Sequence, residues 1–221
     1  MHEIADNPSL AYDWLNSNAI ADALATTGYC VLPAWLPDRL SSALLTVLET
    51  NAASLREATI GRGEAQRHNR FVRRDKIAWL DEADARLQEW FALMRTLRGE
   101  LNRLLFMGLW DFECHLAHYA PGDFYKRHVD AFRGRSNRRV SLVAYLNRGW
   151  LPEHGGELVL YCDPKKDSDS VLRVTPVLGT VVIFLSEDIP HEVLPAQRDR
   201  YSVAGWFRIN DTLNNRIDPS H

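Results

Sequence analysis

FECHLAHY (Phe112–Tyr119), RRVSLVAYL (Arg138–Leu146), GELVLYC (Gly156–Cys162), SVLRVTP (Ser170–Pro176), GTVVIFL (Gly179–Leu185) and RYSVAGWFRI (Arg200–Ile209) follow one another through the second half of the chain. Each run is short and rich in β-branched and aromatic residues, which suit a pleated, half-buried surface. Turn-forming residues separate them: Pro121-Gly122, Gly155-Gly156, the polar 163–169 stretch, Gly179 and Pro190. Many short strands at this spacing predict a sandwich, jelly roll or barrel from about Asp111 onward.

Upstream of Asp111 the apolar spacing is helical. Leu10, Trp14, Leu15, Ala21 and Leu24 recur at helical intervals before a stop at Gly28. Tyr29–Leu32 reads as a short strand. Pro37-Asp38 opens a second helix with Leu40, Leu44, Val47 and Leu48 on one face. A third is predicted from about Asp81 to Phe106, carrying Leu87, Trp90, Phe91, Met94, Leu97, Leu101 and Leu105. These stripes are core packing. Between the last two helices, GRGEAQRHNR reads as a mobile loop and FVRRDKIAWL as a strand. The expectation is an α+β chain forming one catalytic domain, 1–221. Residues 1–106 form a mainly helical support with a mobile 61–76 loop, and 107–212 form the β core.

With 46% hydrophobic residues the chain can build a core, and its net charge of -3 argues against a nucleic-acid binder driven by overall charge. Cys30, Cys114 and Cys162 are far apart, so neither a zinc knuckle nor a disulfide framework is expected. The first ten residues, MHEIADNPSL, lack the basic and apolar regions of a secretory signal, and no apolar stretch reaches membrane-spanning length. A cytoplasmic protein with no membrane partner is the expectation.

The chemistry concentrates in the β half. Tyr125-Lys-Arg-His-Val-Asp130 contains an HxD pair, and residues i and i+2 of a strand share a face. His191 follows the apolar run GTVVIFL, in Ile189-Pro-His-Glu-Val193. Two imidazoles and a carboxylate on one face of a metal leave coordination positions open, the arrangement suited to non-haem Fe(II) oxygenases. Arg200 lies nine residues beyond His191 at the head of an apolar strand. A guanidinium there must meet an anion: either a ligand carboxylate or a protein partner such as Asp188 or Asp199.

The order HxD, GGEL, glycine-led apolar strand, PHEV and RYSVAGWF resembles the 2-oxoglutarate-dependent oxygenases. Among them it is most similar to the prolyl hydroxylases related to the animal oxygen sensors. RRDKIAWL, YKRHVD, RRVSLVAYLN, GGELVLY, PHEVLPA and RYSVAGWF carry the resemblance, which spans roughly Phe71 to Asn210. It implies a double-stranded β-helix (jelly-roll) core, Fe(II) and 2-oxoglutarate as cofactors, O2 as cosubstrate and ascorbate as a reductant. It matches His128, Asp130 and His191 to the iron ligands. Arg200 and Tyr145 match the residues that hold the distal carboxylate of 2-oxoglutarate, Tyr119 a tyrosine near the metal, and Trp206 a pocket-lining aromatic. The Ala120–Arg127 turn is shorter and less glycine-rich than in the animal enzymes.

The resemblance further implies 4-hydroxylation of a prolyl residue in a protein. Small bacterial members of the group point to elongation factor Tu as the partner. Arg62, Arg67, Arg70, Arg73, Arg74 and Lys76 form one basic run, and Arg133, Arg135, Arg138 and Arg139 another. Asp75, Arg73 and Arg139 are candidate substrate contacts, with an Asp75–Arg139 ion pair ordering loop closure. The competing readings are an oxygenase acting on nucleic acid or a small molecule, and a cupin-like metal barrel without oxygenase activity.

Overall fold

The structure is a computed structural model that describes residues 12, 14–58, 71–131, 136–162 and 171–210. Eleven strands among these residues form two sheets. They are β1 (Tyr29–Leu32), β2 (Arg56–Glu57), β3 (Lys76–Trp79), β4 (Leu109–Tyr119), β5 (Tyr125–His128), β6 (Arg138–Tyr145), β7 (Leu158–Tyr161), β8 (Val171–Val174), β9 (Val181–Leu185), β10 (His191–Val193) and β11 (Arg200–Ile209). The larger sheet runs β1-β9-β6-β11-β4-β3-β2 and the smaller β5-β10-β7-β8. All described pairings between them are antiparallel. Two facing antiparallel sheets with strands alternating between them are the double-stranded β-helix, as expected.

The period-2 pattern of the strands separates two cores. Val140, Leu142 and Ala144 of β6 and Val181 and Ile183 of β9 point outward, into one cluster with the helices. Their neighbours Tyr145, Val182 and Phe184 point inward, joining Ala117, Tyr119, Leu158, Leu160, Ile189 and Val193 between the sheets. Helices α1 (Ser17–Thr26), α2 (Asp38–Asn51) and α3 (Gln88–Leu105) close the outer face with Ile20, Leu24, Leu44, Val47, Trp90, Leu93, Leu97 and Leu101. Burying each such side chain contributes roughly 2 kcal/mol before entropy is counted.

Two expectations change. Helix α3 begins at Gln88 instead of about Asp81. The Asp81 and Asp84 carboxylates accept from the backbone N–H groups of Ala83 (2.8 Å) and Arg86 (2.9 Å), holding turns where the apolar spacing alone predicts helix. The N-terminal half is also more than a helical support, since β1 extends one edge of the larger sheet and β3 and β2 the other. Within the expected mobile loop, 61–70 lies outside the described residues. Its end, 71–76, crosses to the smaller sheet: Lys126 N–H donates to Val72 O at 2.9 Å, and Arg74 N–H to Phe124 O at 3.1 Å.

Candidate active site

Strands β5 and β10 pair with His128 opposite His191. Their imidazole centroids lie 4.3 Å apart. Asp130 sits in the bend just after β5 and completes a group whose ligand atoms all lie within 4.8 Å of one another. Its Oδ1 is 3.6 Å from His128 Nε2 and 3.7 Å from His191 Nε2. Those gaps are too wide for hydrogen bonds, and the convergence of the three ligand atoms suits a shared cation.

Each imidazole is oriented by its other nitrogen. His128 Nδ1 lies 2.8 Å from Lys126 O and His191 Nδ1 lies 3.1 Å from Ile189 O. A carbonyl can only accept, so Nδ1 carries the proton and the Nε2 lone pair is free for a metal. Ser141 donates to Asp130 Oδ2 at 2.6 Å and also contacts Ser186. Burial opposes ionisation of Asp130, but the His191 and His128 imidazoles and the Ser141 hydroxyl outweigh it and hold the carboxyl well below its usual range. Burial likewise lowers His191 to about 4, so it is neutral and ligand-ready at neutral pH.

Arg200, Tyr119 and Tyr145 meet in the core between the sheets. Arg200 opens β11 opposite Tyr119, and Tyr145 pairs with Ser202. The Arg200 side chain is 1% exposed. Its Nε donates to Gly156 O at 2.8 Å and an Nη to Ser202 Oγ at 3.4 Å, and its guanidinium lies 5.0 Å from the Tyr119 ring centroid and 5.2 Å from that of Tyr145. No carboxylate pairs with it among the described residues. Asp199, a partner the sequence left open, bonds His118 at 2.7 Å. The Tyr145 hydroxyl is buried with no hydrogen bond of good geometry among the described residues, and burial raises its pKa to about 12 against the lowering effect of the neighbouring Arg200. Tyr119 is also raised well above its usual value, first by burial and then by Asp75. A buried cation beside an unpartnered donor is costly unless an anion arrives. The donor set therefore fits a carboxylate.

Trp206 packs near His115 (5.3 Å) and the exposed Trp79 (6.4 Å), and Trp79 stacks edge-on to His115 at 5.2 Å. The Trp206 indole N–H is buried with no hydrogen-bond partner among the described residues. Over its face, 3.5 Å from the ring centroid, sits the Arg138 guanidinium, which pairs with Glu113 at 2.6 Å. Glu113 also takes Arg208 at 3.0 Å, and Arg208 bonds Asp111.

The Asp75–Arg139 ion pair is not formed. Asp75 is taken by Arg73 in a bidentate pair at 2.5 and 2.7 Å, and Arg139 by Glu187 at 2.9 Å. The reason is a bulge: Phe207 pairs with Val140, but Arg208 pairs with Arg138. Arg139 is the extra residue, so Arg138 takes the inward position. Arg62, Arg67, Arg70, Arg133 and Arg135 lie outside the described residues. Sequence reasoning also passed over Ser141, Gly156, Tyr125 and His115. Ser141 was within reach, since it shares the face of Tyr145 by strand parity.

Residues 114–208 match the family model of the 2OG-Fe(II) oxygenase superfamily. The fold is similar to a Pseudomonas putida prolyl-4-hydroxylase, at TM-score 0.78 and 40% identity over 87% of this chain and 98% of that one. It is similar as well to a Trichoplax adhaerens prolyl hydroxylase in complex with a hypoxia-inducible factor oxygen degradation domain peptide fragment. There the TM-score is 0.79 and the identity 26%, over 93% of this chain and 94% of that one. A hypoxia-inducible factor prolyl hydroxylase of Caenorhabditis elegans is 28% identical over 151 residues, 63% of this chain and 20% of that protein. The chain spans between 20% and 41% of the length of the curated relatives it matches. No described helix is long and apolar enough to cross a membrane.

Proposed function

The chain belongs to the 2OG-Fe(II) oxygenase superfamily, among its prolyl hydroxylases, and from that premise we propose that it 4-hydroxylates a prolyl residue of a protein, with elongation factor Tu the first substrate to test. The observation that carries the reading is Arg200, a buried cation with no carboxylate partner among the described residues, beside Tyr119 and Tyr145 of the inner core whose Phe184 packs on His191. A cupin-like barrel without an acidic cosubstrate has no use for it.

His128, Asp130 and His191 would hold Fe(II). Arg200 and Tyr145 would take the far carboxylate of 2-oxoglutarate. Bound iron, with 2-oxoglutarate and O2, supplies the oxidising chemistry, which turns 2-oxoglutarate into succinate and carbon dioxide as a C–H bond gains a hydroxyl. The protein's own work is positional. Arg200, fixed by Gly156 and Ser202, sets the depth at which the dicarboxylate sits. Ser141 holds Asp130 so that one carboxylate oxygen stays turned to the two imidazoles. Val182, Phe184 and Leu160 wall the interior and exclude water. Trp206, Trp79 and His115 present an aromatic surface that suits a prolyl ring, and Arg73 stands near it. The complex of the Trichoplax relative with a peptide supports a peptide substrate.

The test is incubation of the protein with Fe(II), 2-oxoglutarate and purified elongation factor Tu, followed by mass spectrometry of its peptides. A gain of one oxygen on a proline, lost in Arg200→Ala together with succinate release, is the expected result. Succinate release that persists in Arg200→Ala sinks the assignment of the pocket. Turnover without any hydroxyproline in protein redirects the reading to a small molecule or nucleic acid.

A further inference from the structure

His128 and Tyr125 are three residues apart on β5, a spacing that puts side chains on opposite faces of a regular strand. Here they share a face. His191 pairs with His128, whereas Val193, two residues on, pairs with Tyr125, so β5 carries one extra residue in a bulge. The bulge lays the Tyr125 ring flat against the His128 imidazole, with centroids 3.5 Å apart and planes 15° from parallel. On the phenol stands the Arg73 guanidinium, 4.4 Å from the centroid. Arg73 is itself clamped by the bidentate Asp75 carboxylate, whose side chain is fully buried. A carboxylate, a guanidinium, a phenol and an imidazole thus form one continuous stack. It starts in the 71–75 segment, which docks on the edge of β5 through Arg74 N–H to Phe124 O, Lys126 N–H to Val72 O, and an Arg73–Tyr125 bridge.

We propose that Tyr125 and Arg73 are positioning residues that fix the plane of the His128 imidazole, so that metal affinity depends on the docking of the 71–75 segment. The Nδ1 contact to Lys126 O sets which nitrogen is free, but one hydrogen bond leaves the ring able to rock about it. A flat aromatic face 3.5 Å away removes that motion. Arg73, neutralised by Asp75, presses the phenol in place and adds a cation–π attraction. The last part of the β2–β3 connection is thereby tied to a candidate metal ligand on the smaller sheet. The inference rests on reading His128, Asp130 and His191 as the metal site.

The probe is Mn(II), titrated into the metal-free full chain without oxygen and read from loss of the free-ion electron paramagnetic resonance signal. Thermal melting of the metal-free protein is recorded alongside. Tyr125→Leu removes the flat face and should weaken Mn(II) binding by about 10-fold or more, the scale seen when the groups orienting a metal-binding histidine are lost. Tyr125→Phe keeps the face and should stay within about twofold of the parent. Parent-like affinity in Tyr125→Leu, or equal losses in the Phe and Leu variants, overturns the proposal. Should Tyr125→Leu fail to fold, Arg73→Met decides by the same criterion, with unchanged affinity the overturning result. Failure of the premise looks different: the parent protein binds no Mn(II), or His128→Ala binds as tightly as the parent.

Discussion

Gly156→Ala should damage cosubstrate binding through the backbone. Gly156 has φ +71°, and a Cβ there would stand 2.8 Å from Ala196 Cβ, 3.2 Å from Arg200 Cδ and 3.3 Å from Trp150 Cζ2. The turn cannot retreat. Gly156 N–H donates to Pro195 O at 3.1 Å, Leu194 N–H to Glu157 O at 3.0 Å and Gln197 N–H to His154 O at 2.7 Å. A left-handed alanine costs about 1–2 kcal/mol, and a methyl forced into packed space costs about 1–3 kcal/mol more. The loss of about 2–5 kcal/mol should lower the melting temperature by roughly 5–15 °C for a chain of this size. The more specific effect is at Arg200, whose Cδ must move while its Nε loses registry with Gly156 O. A charge-assisted hydrogen bond is worth about 1.5–3 kcal/mol, so affinity for 2-oxoglutarate should fall by about tenfold to a hundredfold. Isothermal titration of 2-oxoglutarate into Mn(II)-loaded protein at a temperature where both forms are folded measures it. Mn(II) affinity should be unchanged, since His128 and Asp130 lie on and just after β5 and His191 at the far end of β10 from this turn. A variant that melts early yet binds 2-oxoglutarate like the parent refutes the idea that this turn sets Arg200.

Tyr145→Phe removes a buried hydroxyl with no well-formed hydrogen bond among the described residues. Its metal-free form should therefore melt no lower than the parent, while 2-oxoglutarate binding weakens by a hydrogen bond worth about 0.5–1.5 kcal/mol; a destabilised variant with intact binding would contradict this. Glu113→Gln removes the charge that Arg138 and Arg208 share, while Arg208 keeps Asp111, and should cost about 1.5–3 kcal/mol in urea denaturation, with a change below about 0.5 kcal/mol counting against a structural role. His115 is buried and its pKa is pushed down to about 4 from 6.5, first by burial and then by Arg73. Between these values the unfolded chain binds a proton that the folded one does not. The stabilisation is thus full above pH 6.5 and falls as pH drops towards 4, by about 3 kcal/mol in all. His115→Gln should flatten that limb of the stability–pH curve, and an unchanged slope would show that His115 does not titrate this way.

Much of this was legible because strand parity is a strict rule. Val140, Leu142 and Ala144 face the helices and Ser141 and Tyr145 face the site, as alternation requires. The buried Arg200 was legible for a related reason, since a lone cation on an apolar strand demands an anion. What escaped are the places where parity is broken by design. Counting back by twos from Tyr145 puts Arg139 inside; the bulge puts Arg138 there, over Trp206. Counting by twos on β5 separates Tyr125 from His128; the second bulge stacks them. The HxD spacing delivered its pair for a reason other than the one that predicted it, because Asp130 lies in a bend past the strand end and is aimed by Ser141. A bulge has no residue signature that single-sequence reading can use, because its extra residue is set by pairing with a distant strand. Both bulges lie at the site, where a side chain has to be re-aimed, and the two errors of parity therefore mark the same place as the chemistry.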